Sequence, residues 1–190
     1  MGRHKNTEQR RAQIVEGLLD VMSSAGYSGA SIQSIARAAS LSPGLLHYHF
    51  GNKQEILLAL LTTLAERLQA RYAAALPDDP TPSQRIDAWI DAHLAVDAGA
   101  DPRAVACWVQ LGAEALRQPA VQALYSDAIR ADLAPLTAAL SDAGASAPER
   151  AAAGLMAAVQ GAYQLSLATP GLIPAGSAAS SVRTMAAAFR

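Results

Sequence analysis

Residues 31–53 constrain the fold of this chain more than any other stretch, because two short helical patterns lie there on either side of a tight turn. Ser31 is a good N-cap, and Ile32, Ile35, Ala36 and Ala39 recur at the spacing of one buried helix face. Residues 39–41 make the turn. Ser42 then caps the second pattern, Pro43 takes the first helical position, where a missing N–H costs nothing, and Leu46 and Phe50 point inward together. His47, Tyr48 and His49 are left mostly outside. This is a helix-turn-helix, a unit whose second helix enters the major groove of DNA.

The pattern continues on both sides. Gly26-Tyr27 and Ala30-Ser31-Ile32 precede it, and Phe50-Gly51-Asn52-Lys53 leads on to Glu55, Ile56 and Leu57. Over roughly residues 8–61 these positions resemble the tetracycline-repressor-like (TetR) family of bacterial transcription regulators. The resemblance implies an all-α homodimer of about nine helices. An N-terminal three-helix DNA-binding domain would occupy residues 1–53, and a ligand-binding and dimerisation domain residues 54–190. Two positions depart from the family. Ser40 stands where glycine is usual, so a positive φ there would cost about 1 kcal/mol. Tyrosine is usual where this chain has His47, with Tyr48 following; one residue turns a side chain by about 100°, so the sequence leaves open which of the two faces phosphate.

Composition agrees with an all-helical chain. Half of the residues are hydrophobic, aromatics supply only 5%, and there are no strand-like runs of Val, Ile and Thr. The single cysteine, Cys107, excludes an internal disulfide and metal sites built on cysteine pairs. No apolar stretch follows the first residues and no 18-residue apolar run is free of charge, so a cytoplasmic protein without membrane contact is expected. Ligand clusters, phosphate loops and nucleophile motifs are not visible, which argues against an enzyme and against any metal or cofactor. The net charge of −1 is unevenly distributed. Residues 1–53 carry Arg3, Lys5, Arg10, Arg11, Arg37 and Lys53 against Glu8, Glu16 and Asp20, giving +3, and the remainder gives −4. A basic head on an acidic body is the footprint of a DNA reader joined to a separate sensing or assembly domain.

The spacing predicts a first helix over about Thr7 to Ser24, with Ile14, Leu18, Leu19 and Met22 inward and Gly26 ending it. Asn52 with Glu55 opens a long helix to about Leu76, and Thr81-Pro82-Ser83-Gln84 opens another to about Ala98, followed by a loop over 99–102. Helices over about 103–117 and 119–143 come next, the second with an apolar stripe from Val121 through Leu124, Tyr125, Ile129, Leu133 and Leu136 to Leu140. Ser146 with Glu149 is read as the cap of a helix to Thr169, stopped by Pro170-Gly171, and a last helix runs from Ser177 to Arg190. Residues 107–117 resemble a ligand-domain helix of the family's choline-responsive, BetI-like branch.

For DNA, the pattern and the resemblance single out Ser42, Pro43, Gly44, Leu45, His47, Tyr48, His49 and Lys53, with Ser31, Gln33 and Arg37 near the backbone of the other strand. Gly44 costs about 1 kcal/mol against alanine in a helix, and close approach to a duplex is a physical reason for it. Lys53 lies at a helix N-terminus, a place that favours phosphate, and Leu45 offers only apolar contact. In the body, Trp89, His93, Trp108, Leu111, Glu114, Tyr125, Met156 and Tyr163 are the candidates for lining a ligand pocket, with Gln110 beside them; core packing is the competing reading of each. Gly154, Ala157, Ala158, Gly161 and Ala162, small residues recurring every three or four positions, would let a second helix approach across a dimer axis, with Leu165 on the same helix as a further dimerisation candidate. The expected partners are double-stranded operator DNA, a second copy of the chain and a small-molecule inducer. Repression is the leading reading; activation and DNA binding without ligand response are the alternatives.

Overall fold

The computed structural model describes residues 2–95 and 100–189, with side chains from residue 6 onward. Among them every regular element is a helix: α1 Gly2–Gly29, α2 Ile32–Ala38, α3 Pro43–His49, α4 Lys53–Ala75, α5 Pro82–Leu94, α6 Pro102–Ala115, α7 Pro119–Asp142, α8 Pro148–Ala168 and α9 Ser177–Ala187. None is long and apolar enough to cross a membrane.

The start signals act where side chains can reach the free N–H groups of a first turn. Ser31 and Thr81 each close a reciprocal capping box, with Ser34 and Gln84 respectively. At α4 the Glu55 N–H donates to Asn52 Oδ1 at 2.9 Å, while the Glu55 carboxylate accepts from the Gly51 N–H at 2.9 Å. Asp101, read as loop, caps α6 by accepting from the Arg103 N–H at 3.0 Å. The Ser146–Glu149 box does not form: Ala147 is the N-cap of α8, without a side-chain bond, and Pro148 removes one of the N–H groups that a cap would serve. Helix α5 stops at Leu94 rather than near Ala98, with Ala95 extended; the continuation over 96–99 lies outside the described residues, as do Arg190 and the side chains of Arg3 and Lys5.

The chain forms two compact units, Met1–Leu64 with Asp101–Tyr125, and Ala65–Ala100 with Ser126–Arg190. In the first, Ile14, Leu18, Leu19 and Met22 of α1 are wholly buried, as are Ile35, Leu46, Ile56, Leu57 and Leu60. Gly17 is required there. A Cβ on it would lie 2.8 Å from Ile35 O and 3.0 Å from Ala39 Cβ, so α2 packs directly on the backbone of α1. Ile32 of the same helix is only half-buried. In the second unit Ile86, Trp89 and Ile90 of α5 are buried, with Leu136 and Leu140 of α7, Leu155 and Val159 of α8 and Val182 of α9. The long stripe on α7 is fully buried at Val121, Leu136 and Leu140, and half-buried at Leu124, Tyr125, Ile129 and Leu133.

Among the described residues of the first unit, the backbone turns left-handed at two places. Gly26 has φ 75° and ψ 163°, and there the path of α1 breaks. Ser40, between α2 and α3, has φ 54°, so the strain expected for a side chain in place of glycine is present. Ser40→Gly is therefore expected to stabilise the protein by about 1 kcal/mol, read as a raised denaturant midpoint at constant slope. An unchanged or lowered midpoint would refute strain at this turn.

Candidate nucleic-acid interface

Two bonds from α1 hold the turn-flanking helices in place. Gln13 Nε2 donates to Ala39 O, the C-cap carbonyl of α2, at 2.7 Å. The Arg11 guanidinium donates to His49 O at the end of α3 and lies 3.9 Å from the centroid of the Phe50 ring. Helix α3 itself starts at Ser42, whose Oγ accepts from the Leu45 N–H at 3.3 Å, and is pinned by Leu46 and Phe50, both buried.

Its other side is open. Ser42, Pro43, Gly44, His47 and Tyr48 are exposed, Tyr48 by 72%, and Leu45 and His49 are half-buried. The Tyr48 and His49 rings meet edge to face at 5.0 Å. A Cβ on Gly44 would meet nothing within 4 Å, so no packing inside the protein requires glycine there. Gln33 and Arg37 on α2 are exposed, and so is Ser31, whose side chain is engaged in its capping box. The result is a short helix that offers two imidazoles, a phenol, a hydroxyl and a bare backbone to solvent, with the exposed cation Arg37 on the neighbouring helix.

Lys53 is the first residue of α4, as expected, and its side chain reaches back to the end of α1. Its ammonium donates to Tyr27 O at 2.9 Å and Ala30 O at 2.8 Å, and lies 4.2 Å from the Tyr27 ring centroid. Two of its three N–H groups are thus spent closing the end of α1, leaving at most one for a phosphate. Burial, and secondarily Glu114, pushes the Tyr27 hydroxyl pKa upward.

Residues 14–60 match the family described as bacterial regulatory proteins, tetR family, and residues 80–189 match the tetracyclin repressor-like C-terminal domain. The chain belongs to the tetR family. The HTH-type transcriptional regulator BetI of Rhizobium meliloti (strain 1021) is 33% identical over 157 residues, covering 81% of this chain and 76% of that protein. A transcriptional regulator from Rhodococcus sp. Rha1 shares the fold with a TM-score of 0.86 at 24% identity, over 94% of this chain and 95% of the other. Another, from Saccharomonospora viridis and solved in complex with choline, has a TM-score of 0.80 at 21% identity, over 96% and 95%. The chain is accordingly a BetI-like transcriptional regulator of the tetR family, and its relatives are regulators rather than enzymes.

The residues read from the sequence as lining a tetR-type ligand pocket divide between the two units. Trp89, His93, Met156 and Tyr163 belong to one, and Trp108, Leu111, Glu114 and Tyr125 to the other. Trp89 and Leu111 have 0% exposure and are packed as core. Trp89 Nε1 donates to Asp132 O at 3.2 Å and Oδ1 at 3.0 Å, one residue beyond the carbonyl that Pro135 leaves without its helical donor. The His93 ring lies 4.1 Å from that of Trp89, with Nδ1 2.9 Å from Trp89 O and Nε2 2.9 Å from Asp132 Oδ2, while the Tyr163 hydroxyl donates to His93 O at 3.1 Å. These polar edges are satisfied inside the unit. Met156 Sδ accepts from Gln160 at 3.6 Å. In the other unit Trp108 packs edge-on against Tyr125 at 5.8 Å, and half-buried Glu114 accepts from Gln118 at 2.7 Å. Cys107 is buried with its thiol pKa pushed up to about 12, which makes it a core residue rather than a reactive one.

The small residues of α8, Gly154, Ala157, Ala158, Gly161 and Ala162, and Leu165 beyond them are exposed or half-buried, and a Cβ on Gly161 would meet nothing within 4 Å. Arg11, Gln13 and Asp132 were not singled out by sequence reasoning. Gly17 was also passed over, although a glycine inside a helix carried the same signal there as at Gly44.

Proposed function

We propose that this chain is a ligand-responsive repressor that occupies a near-palindromic operator as a homodimer and is released by a small molecule. The observation that carries the DNA part is Gly44, a helical glycine with open space around it on the exposed face of α3. Ser42, Pro43, Gly44, Leu45, His47, Tyr48 and His49 form the base-reading and backbone-contacting surface, with Ser31, Gln33 and Arg37 toward the other strand and the remaining N–H of Lys53 toward a phosphate. Residues 1–53 act as the reading domain in the cytoplasm, and 54–190 as the sensing and assembly domain. A small cation is the ligand class favoured by the choline complex of the Saccharomonospora viridis relative and by the likeness to BetI. Trp108, Glu114 and Tyr125, which lie in one unit, remain the candidate lining.

The dimer rests on the outward face of α8, which the chain's own packing leaves bare at Gly161, and on exposed apolar side chains: Leu165 and Leu167 on α8, Met185 on α9 and Phe189 just after it. Gly161→Leu costs nothing inside one protomer and overpacks a helix crossing between two, by about 1 to 3 kcal/mol. Sedimentation at micromolar concentration is expected to show a dimer for the wild type and a shift toward monomer for the variant. A wild-type monomer, or an undisturbed variant dimer, would refute this interface.

A further inference from the structure

The break in α1 at Gly26 turns the following peptide off the helical path, so the Tyr27 N–H and the last carbonyls before the break need partners from elsewhere. One side chain of α6 supplies both kinds. The Gln110 amide accepts from the Tyr27 N–H at 3.1 Å through Oε1 and donates to Met22 O at 2.8 Å through Nε2. A Cβ on Gly26 would lie 3.7 Å from Gln110 Oε1, so the amide sits against bare backbone. One turn earlier, the Cys107 thiol lies 3.8 Å from Leu19 O, and at the start of α6 the Arg103 guanidinium bonds Asp20. Residues 103, 107 and 110 thus seam α6 along α1, and the seam ends on the bend.

The bend leads straight into the reading unit. Tyr27 O and Ala30 O accept from Lys53 at the start of α4, and Ser31 is the N-cap of α2. Four helices therefore meet on residues 26–31, and Gln110 is the member that comes from far along the chain.

We propose that Gln110 is a positioning residue for DNA recognition: by holding both sides of the Gly26 bend it fixes where α2, and with it α3, begins. This rests on the reading of α3 as the DNA-contacting helix. Gln110 touches no nucleic acid, so its loss must change affinity without removing a phosphate contact. Losing a half-buried two-way hydrogen bond at the bend is expected to weaken binding about tenfold.

The test uses the full-length protein and a duplex selected by the wild type from a random pool. Gln110→Leu, of similar length, keeps packing against Gly26 and removes both bonds; Gln110→Ala is the second variant. The expected result is a folded variant that binds about tenfold more weakly, with an unchanged slope of log affinity against log salt, and faster amide hydrogen exchange at Tyr27. Wild-type affinity in a folded variant would overturn the proposal. So would a reduced salt slope, which marks a lost phosphate contact, or weakened binding with the Tyr27 amide still protected. A wild type that selects no duplex would instead defeat the reading of α3.

Discussion

Trp89→Ala is expected to destabilise the unit formed by Ala65–Ala100 and Ser126–Arg190 by about 3 to 5 kcal/mol, a large fraction of what holds a domain of this size folded. The indole is wholly buried, packs on the His93 ring at 4.1 Å and donates to both Asp132 O and Oδ1. Truncation leaves a cavity and an Asp132 carbonyl and carboxylate short of a donor, so the transfer, cavity and hydrogen-bond terms have the same sign. Trp89→Phe keeps most of the volume and loses only the N–H, and its cost should fall to about 1 to 3 kcal/mol. Urea unfolding followed by circular dichroism measures both. A Trp89→Ala protein within about 1 kcal/mol of wild type would mean that the indole is not core.

The second large effect falls on binding rather than folding. Gly44→Leu places a side chain where the free protein has open space, so stability is expected to hold or to rise by up to about 1 kcal/mol from helix propensity. Against a duplex the same side chain stands in the contact. Overpacking of about 1 to 3 kcal/mol per half-site, counted twice in a two-fold dimer, lowers affinity by about 30-fold or more. Opposite signs for stability and affinity separate a functional glycine from a structural one. Gly17 supplies the contrast: a Cβ there meets Ile35 O at 2.8 Å, so its substitution harms folding first. A Gly44→Leu protein that binds DNA like the wild type would remove α3 from the interface.

Signals local in sequence were readable in advance, and signals that close over long distances were not. The caps at Ser31, Ser42, Asn52 and Thr81 were legible because donor and acceptor lie within three residues of each other. The strain at Ser40 was legible because the turn itself demands a positive φ. Ser146 failed as a cap although its spacing to Glu149 fits, since Pro148 starts α8 one residue later. Lys53 was placed at the right helix end, yet its partners Tyr27 O and Ala30 O lie 26 and 23 residues away and no local pattern encodes them. The same holds for Gln110, 83 residues from Tyr27, and for Asp132, 43 residues from Trp89. An aromatic in an alanine-rich body reads equally as pocket wall or core, because only its surroundings separate the two; Trp89 is wholly buried.

In the proposed function residues 31–53 present a helix to DNA in a two-fold dimer. Its most direct test is the affinity of the full-length wild type for a duplex selected from a random pool, measured from 50 to 300 mM salt. The expected result is a straight log–log line of slope about −5 to −9, as for roughly 6 to 10 phosphate contacts, on a duplex with two half-sites about 34 Å apart. Failure to enrich any duplex, or an affinity indifferent to salt, would contradict it.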